Sequence, residues 1–423
     1  MAQSFGKLLD PHRCLKQPFG IKGERQTIVI NNNPSTIDQD QTLTVRFPNL
    51  GPHDVIVPGT VRLAFNIELE SEADANRTVV NNLGRAIIRK VSVKLEGREL
   101  LCLNEANVFL TYCDLWLTTQ QREDAIYQGI IKSANALKHR INAGDKTDNK
   151  KDKIMTSIFK NRFCIPLEFE LIHTHAPFFP GALNEKLSYE LTFNSYDQVL
   201  LSSDTNAKYQ ISNISLEFDI VMHKELARMV LQKYQQYPVF YQRVLHHTTQ
   251  LRNKAEGHWT FSFNSTGRSI KGILMLFKKK QEPYQNEPEE YFNPQIKKLQ
   301  VTIEGKPNQL FASGLLPYQH FEEAKKFFGA GNNDHHGQIC KDLHLHGVRL
   351  EDFYTKCYGL WLDLRTTDDS TLHGSGRKIE GGDGIVIQIQ KEQQSSEEIM
   401  VHIFVVYDAQ LNISDNRLKD IIY

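Results

Sequence analysis

The sequence predicts an all-β fold built twice in one chain. Three observations predict it. Short strings that alternate apolar and polar residues at period 2 recur along the whole chain, about eight in each half. Helical patterns are few. And one line is written twice: IRKVSVKLEGR starts at 88 and IKKLQVTIEGK starts at 296, an offset of 208 in a chain of 423. Ile88/Ile296, Lys90/Lys298, Val93/Val301, Glu96/Glu304 and Gly97/Gly305 are identical columns.

Composition sets the bounds. The chain is long enough for two ordinary domains, each with its own core. Apolar residues make up 40% and charged residues 24%, which suits folded protein in water. Lys plus Arg (50) equals Asp plus Glu (50), so the cation surplus needed to wrap nucleic acid is absent. The six cysteines are widely spaced, which predicts reduced thiols rather than a disulfide framework. The start, MAQSFGKLLDPHRC, has no apolar core of a secretory signal, and no apolar run reaches the ~20 residues of a membrane span. The protein is therefore expected inside the cell, in cytoplasm or nucleus, and the sequons at Asn76, Asn213, Asn264 and Asn412 are expected to stay unmodified.

Taken in order, residues 1–28 read as an irregular N-terminal arm, with Lys7, Arg13, Lys16, Lys22 and Arg25 against Asp10 and Glu24. TLTVRF (42–47), TVRLAFNIELE (60–70) and KVSVKLE (90–96) are half-buried strands. In the last, Val91, Val93 and Leu95 share one face, and Gly97 follows where a turn needs positive φ. LNEANVFLTYCDLWLTTQQREDAI (103–126) has helical spacing at Val108, Tyr112, Leu115 and Trp116, with Asn104 as the expected cap. DKTDNKKDK (145–153) reads as a solvated loop. RFCIPLEFELI (162–172), KLSYELTF (186–193) and ISNISLEFDIVM (211–222) return to strands. KELARMVLQKYQQY (224–237) predicts a helix stopped by Pro238.

The second half repeats the order. HWTFSF (258–263), SIKGILMLFKKK (269–280) and KKLQVTIEG (297–305) are strands. LPYQHFEEAKKFFG (316–329) is a helix with Gly329 beyond its end. YGLWLDLR (358–365), GIVIQIQK (384–391) and IMVHIFVVYD (399–408) close the series. IPLEF (165–169) matches LWLDL (360–364), FPNLG (47–51) matches FNSTG (263–267), and SLEFDIVM (215–222) sits where MVHIFVVY (400–407) sits. Loop lengths change while the order holds, as in a duplication whose copies each bury a core. The expected division is a 1–28 arm, a first barrel at 29–224, a connection at 225–255, a second barrel at 256–414 and a tail at 415–423. By pattern, eight strands with long excursions fit a jelly roll, and an immunoglobulin-like sandwich fits as well.

Resemblance narrows this choice. LDLRTTDD (362–369), LHGSG (372–376) and DGIVIQIQK (383–391) resemble second-domain segments of the major capsid proteins of Polinton/Maverick elements and adintoviruses. NNLGRAIIRKVSVKLEGREL (81–100), PFFPGALNEKLSYELTFN (177–194) and the end, YDAQLNISDNRLKDIIY (407–423), resemble other segments of that family. The resemblance implies two tandem eight-stranded antiparallel jelly-roll β-barrels, a double jelly roll, with a few short helices in loops. It implies a virion capsid protein that forms homotrimers with six barrels, a pseudo-hexamer, joined by trimer–trimer contacts into an icosahedral shell. A single-jelly-roll penton protein and minor capsid proteins are the further partners implied, with no sequence-specific nucleic acid.

The residues offer one rival. GQICKDLHLHGVRLEDFYTKCYG (337–359) spaces Gly337, His344, His346, Glu351 and Gly359 almost like a cupin metal motif. Two His one apart on a strand share a face, and with a carboxylate they would suit Fe, Mn or Zn. A cupin-like two-barrel metalloenzyme using His344, His346 and Glu351 is thus the alternative. Both Gly-to-ligand gaps run one residue long, however, and the second cupin motif is absent. Surface and strand histidines are the plainer reading. HTH (173–175) and LHHTT (245–249) read as polar loop residues, and no GxSxG or Cys/His pattern marks a nucleophile. LHGSGR precedes a strand and lacks the helix amides of a phosphate cradle. Glu287, Glu289 and Glu290 in QNEPEEYF read as an exposed acidic loop, and Lys278, Lys279 and Lys280 as a solvated strand end. FYQRVLHH (240–247) reads as a packing wedge between the barrels. No catalytic, cofactor or metal residue is assigned.

Overall fold

The computed structural model describes residues 24–31, 36–70, 78–118, 121–122, 125–130, 162–167, 179–183, 186–203, 205–251, 258–280, 282–308, 314–329, 348–365, 376–380, 384–391 and 398–423. The first copy runs β1 (Glu24–Asn31), β2 (Thr36–Ile37), β3 (Thr42–Arg46), β4 (Asp54–Ile56), β5 (Arg62–Glu70), β6 (Thr78–Val79), α1 (Leu83–Ala86), β7 (Ile88–Leu95), β8 (Arg98–Asn104), α2 (Ala106–Leu115), β9 (Arg162–Pro166), β10 (Phe179–Pro180), β11 (Leu187–Phe193), α3 (Tyr196–Val199), β12 (Leu200–Leu201) and β13 (Lys208–Met222). Helix α4 (Lys224–Gln236) follows. The second copy runs β14 (Val239–Leu251), β15 (His258–Phe263), β16 (Gly267–Lys279), β17 (Ile296–Ile303), β18 (Lys306–Pro307), α5 (Pro317–Ala324), α6 (Leu350–Thr355), β19 (Gly359–Asp363), β20 (Arg377–Ile379), β21 (Ile385–Lys391), β22 (Ile399–Ser414) and β23 (Arg417–Ile422).

With β2, β4, β6, β10, β12, β20 and β23 set aside, each copy has the same eight. In the first they order as β1-β13-β5-β9 and β3-β11-β7-β8; in the second, as β14-β22-β16-β19 and β15-β21-β17-β18. So the first, eighth, third and sixth strands make one sheet, and the second, seventh, fourth and fifth make the other. That crossing order, antiparallel throughout, is a jelly roll, and it occurs twice.

The twice-written line is β7 and β17. Leu95 pairs with Leu187, and Ile303 pairs with Ile385. Each strand then turns on two residues of positive φ, Glu96 (45°) and Gly97 (79°), or Glu304 (52°) and Gly305 (73°). Two left-handed residues in a two-residue loop match the twist of a hairpin, which is why Glu-Gly recurs there. IPLEF opens in β9, and LWLDL lies in β19.

Register makes the match exact enough to align the faces row by row. One row crosses the first sheet through Val29, Glu217, Arg62 and Pro166. The corresponding row of the second runs through His246, Phe404, Leu274 and Trp361. Both rows lie on the outer face, away from the partner sheet. The inner faces are apolar in both copies. Phe47, Tyr189 and Phe218 meet in the first barrel, and Ile387, Val301 and Ile273 are buried in the second.

The structure differs from the expected elements in four places. The helix expected over 103–126 is α2 alone, and Asn104 ends β8 rather than capping it. The chain enters α2 through Glu105 in a left-handed conformation, with no side-chain cap. At the N-terminus, residues 24–28 of the expected arm pair with β13 as part of β1. Their alternation, continued through TIVIN, is enough to add a strand. Within 225–255 lie α4 and β14, and β14 pairs along its whole length with β22. Within 415–423, β23 folds back on β22.

Candidate functional site at the junction of the two barrels

The two cores exchange parts. Helix α2 lies between the fifth and sixth strands of the first copy, yet Ala106, Val108, Tyr112, Leu115 and Trp116 belong to the second core. Phe109 sits on Phe404, ring centroids 5.1 Å apart, and Tyr112 meets Tyr291 edge-on at 5.2 Å. Trp116 stacks on Phe321 and Phe328. In return Tyr241, Tyr284, Leu411, Ile413 and Leu418 of the second copy belong to the first core. The sheet carrying β16 and β19 is therefore covered on both faces. This explains the unbroken apolar runs ILMLF and GLWL, whose residues are all buried; a sheet with one wet face alternates instead.

Glycine admits the closest packing. A Cβ on Gly359 would collide with the Tyr112 ring, and one on Gly272 with the Trp361 ring. The edge strand β8 is shielded too. Tyr241 Oη donates to Leu100 O at 3.1 Å, Arg98 donates to the carbonyls of Leu418 and Lys419, and Tyr423 Oη donates to Glu99 O. An exposed edge of paired-strand backbone is a template for aggregation, and here the second copy covers it.

In the loop QNEPEEYF, Glu287 and Glu290 are exposed as expected, but Glu289 is not, and with Tyr284 before it the loop is a clamp across the junction. Tyr284, Asn286 and Tyr291 are buried. Tyr284 N donates to Asp197 O, and Asn286 Nδ2 donates to Gln198 O. Glu289 accepts from Arg122 at 2.8 Å and from Asn81 Nδ2 at 2.8 Å, with both ionic side chains under 20% exposed. Tyr291 Oη donates to Val108 O at 2.8 Å and lies 2.6 Å from Thr111 Oγ1. Lys278 is corrected with it. Its even position puts it on the outer face with Leu274 and Leu276, not at a solvated end. Its ammonium donates to Glu287 O and Pro288 O and stands 4.5 Å over the Tyr291 ring. Burial pushes that ammonium down to about 7. The composition of PYQNEPEEYF held the missed signal: two Tyr and a Phe among the prolines and acids, more aromatic surface than a solvated loop needs.

The wedge FYQRVLHH is β14. Tyr241 enters the first core, and Val244 the second. His246 and His402 stack, with Nε2 of one 3.2 Å from Nδ1 of the other. Burial lowers His246 to about 4 and His402 to about 3, and the neighbouring positive groups His247, His246 and Lys278 add to it. Both rings are held neutral, one donating and one accepting. His247 points the other way, against Phe263.

The remaining candidates are placed as follows. Glu351 lies in the first turn of α6. His344 and His346 lie outside the described residues, as do HTH (173–175), DKTDNKKDK (145–153), residues 1–23 and LHGS (372–375). Among the described residues, no three His, Cys, Asp or Glu side chains gather as a metal site, and no helix is long and apolar enough to cross a membrane.

No family model matches the chain, and no curated protein matches it by sequence. Solved structures do. The PBCV-1 virus capsid aligns over 96% of this chain and 98% of that one, with TM-score 0.57 at 10% identity. The Faustovirus major capsid protein aligns over 94% and 92%, with TM-score 0.56 at 7% identity. The mavirus major capsid protein aligns over 94% and 90%, with TM-score 0.52 at 11% identity. The described residues of this chain have the double jelly-roll fold of these viral capsid structures.

Proposed function

We propose that this chain is a viral major capsid protein that acts by self-assembly. One observation carries the reading: two topologically identical barrels are locked at a fixed relation by exchanged core elements, in a fold shared with major capsid proteins over nearly the whole chain. A subunit that presents two similar blocks can fill a six-sided lattice site with three copies. The homotrimer is then a pseudo-hexamer, and smaller trimer–trimer contacts build an icosahedral shell. The strings LDLRTTDD, DGIVIQIQK and YDAQLNISDNRLKDIIY support a Polinton/Maverick or adintovirus type. Single-jelly-roll penton and minor capsid proteins are the partners of such a shell. The division into an arm, two barrels joined by a connection and a tail belongs to the same proposal, with its boundaries moved to the strands: a first barrel from β1 (Glu24–Asn31) to β13 (Lys208–Met222), α4 as the connection, and a second barrel from β14 (Val239–Leu251) to β22 with β23 folded on it. Zero formal net charge keeps repulsion between many close-packed copies small.

The mass of the purified chain in solution tests the reading. It requires a trimer, or larger assemblies made of trimers and visible as shells by electron microscopy. A strict monomer across a wide concentration range overturns it.

A further inference from the structure

The junction gathers basic groups under the helix that makes it. On the outer face of the second barrel, His402 pairs with Leu276 and Phe404 with Leu274, and Lys278 lies beyond them on the same face. His246 of β14 pairs with Phe404. The rings form a stack. The His402 and His246 centroids lie 5.4 Å apart, His246 lies 4.7 Å from Phe404, and Phe404 carries Phe109 of α2 at 5.1 Å. So α2, by which the first copy enters the second core, rests on this stack.

The stack holds together only while it is short of protons. His246 Nε2 and His402 Nδ1, 3.2 Å apart, join one imidazole that donates to one that accepts. One added proton places a charge inside the junction. A second leaves two donors face to face. Among the described residues, the carboxylates of the surrounding elements are committed elsewhere. On the clamp loop Glu287, Glu289 and Glu290 act on Lys278, and Glu289 is bound by Arg122. On β8, Glu99 pairs with Arg243, and on α2, Asp114 pairs with Arg85. The charged neighbours that act on the two rings are themselves basic: His247 on His246, and His246 and Lys278 on His402. Burial first, and these neighbours second, lower the rings to about 4 and about 3. Opened to water, both return to about 6.5. Protons therefore favour the open form as pH falls below 6.5, by about thirtyfold per ring at pH 5.

We propose that the His246–His402 pair is an acid-operated release: its protonation lifts α2 and the clamp loop from the outer sheet face of the second barrel and frees the two barrels from their fixed relation. A shell made at neutral pH then loosens in an acidic compartment. That last step rests on the capsid reading, and the release itself does not.

Hydrogen exchange on the full chain, read as protection factors corrected for the intrinsic rate, tests the release. Between pH 7.5 and pH 5 the amides of α2 lose at least about tenfold in protection. Those of β3 and β11 in the first barrel change less than about threefold. In a His246→Gln/His402→Gln chain, α2 keeps its protection at pH 5. Histidine-selective NMR of the wild type gives a second readout that needs no variant to fold: both rings titrate below about pH 5. A ring that titrates near 6.5 in the folded chain overturns the release. So does an α2 that keeps its protection at pH 5 in the wild type, or a double variant that loses as much as the wild type. None of these outcomes bears on the capsid reading, which the mass in solution tests.

Discussion

At Gly359, Tyr112 of the other copy lies where a side chain would begin. Gly359→Ala must displace a buried ring, and overpacking of this kind costs about 1–3 kcal/mol. Gly97 is the opposite case. Its φ is 79°, but open space surrounds it, so Gly97→Ala loses only about 1 kcal/mol of left-handed strain. Urea denaturation of both variants measures the order; a larger loss at Gly97 would contradict the packing described here. His246 and His402 make a second residue-scale prediction. Their folded pKa values, about 4 and about 3, lie below the ordinary 6.5. The unfolded chain therefore takes up protons first as pH falls below 6.5, and stability drops from there toward 4. For His402 the loss at pH 5 is about 2 kcal/mol relative to pH 7.5. Denaturation curves at the two pH values give the wild-type difference. A His246→Gln/His402→Gln chain shows a smaller one, and an equal difference would remove the pair as its source.

The clamp loop between β16 and β17 makes the corresponding case for an element. Arg122→Ala leaves the Glu289 carboxylate largely buried with only Asn81 as partner, and such a loss costs about 1–3 kcal/mol. A double-mutant cycle with Glu289→Ala isolates the pair; a coupling below about 0.5 kcal/mol would mean the loop is held by Tyr284 and Tyr291 alone. Elements also show what could be read beforehand. Strands β7 and β17 were legible because period-2 alternation and a Glu-Gly turn are local properties. So was the chain order of six strands in each copy, because the copies state it twice; the first and fifth of each, β1 and β8 or β14 and β18, were not. Lys278 and Glu289 were not legible as junction residues. A charge run and an acidic loop look solvated until another element covers them, and what covers them comes from the other half of the chain. Helix α2 shows the same limit. Its apolar spacing at Val108, Tyr112 and Leu115 reveals a buried face, but nothing local says which core receives it.

The exchange of core elements has a consequence for the whole molecule. Each copy has a complete jelly roll, which argues for independent folding. Yet the first copy alone would expose Tyr112, Leu115 and Trp116, and would leave β8 without the cover of Tyr241, Leu418 and Tyr423. The second copy alone would leave Phe404 without the cover of Phe109, and Leu411 and Ile413 without the first core. Burying those groups contributes about 1.5–3 kcal/mol per large side chain, comparable in sum to the stability of a domain. The covalent link, in contrast, is short and exposed at Tyr237, where α4 ends before Pro238. Splitting the chain between residues 237 and 238 should therefore leave the junction intact and remove only the link. Expressed separately, 1–237 and 238–423 are expected to aggregate or to unfold without a cooperative transition. Expressed together, they are expected to co-purify as one complex that melts in a single step. A separate half that stays soluble and melts cooperatively on its own would show the barrels to be independent blocks. The fixed relation between them, on which a two-block subunit depends, would then have to come from the neighbours in the ring rather than from within the chain.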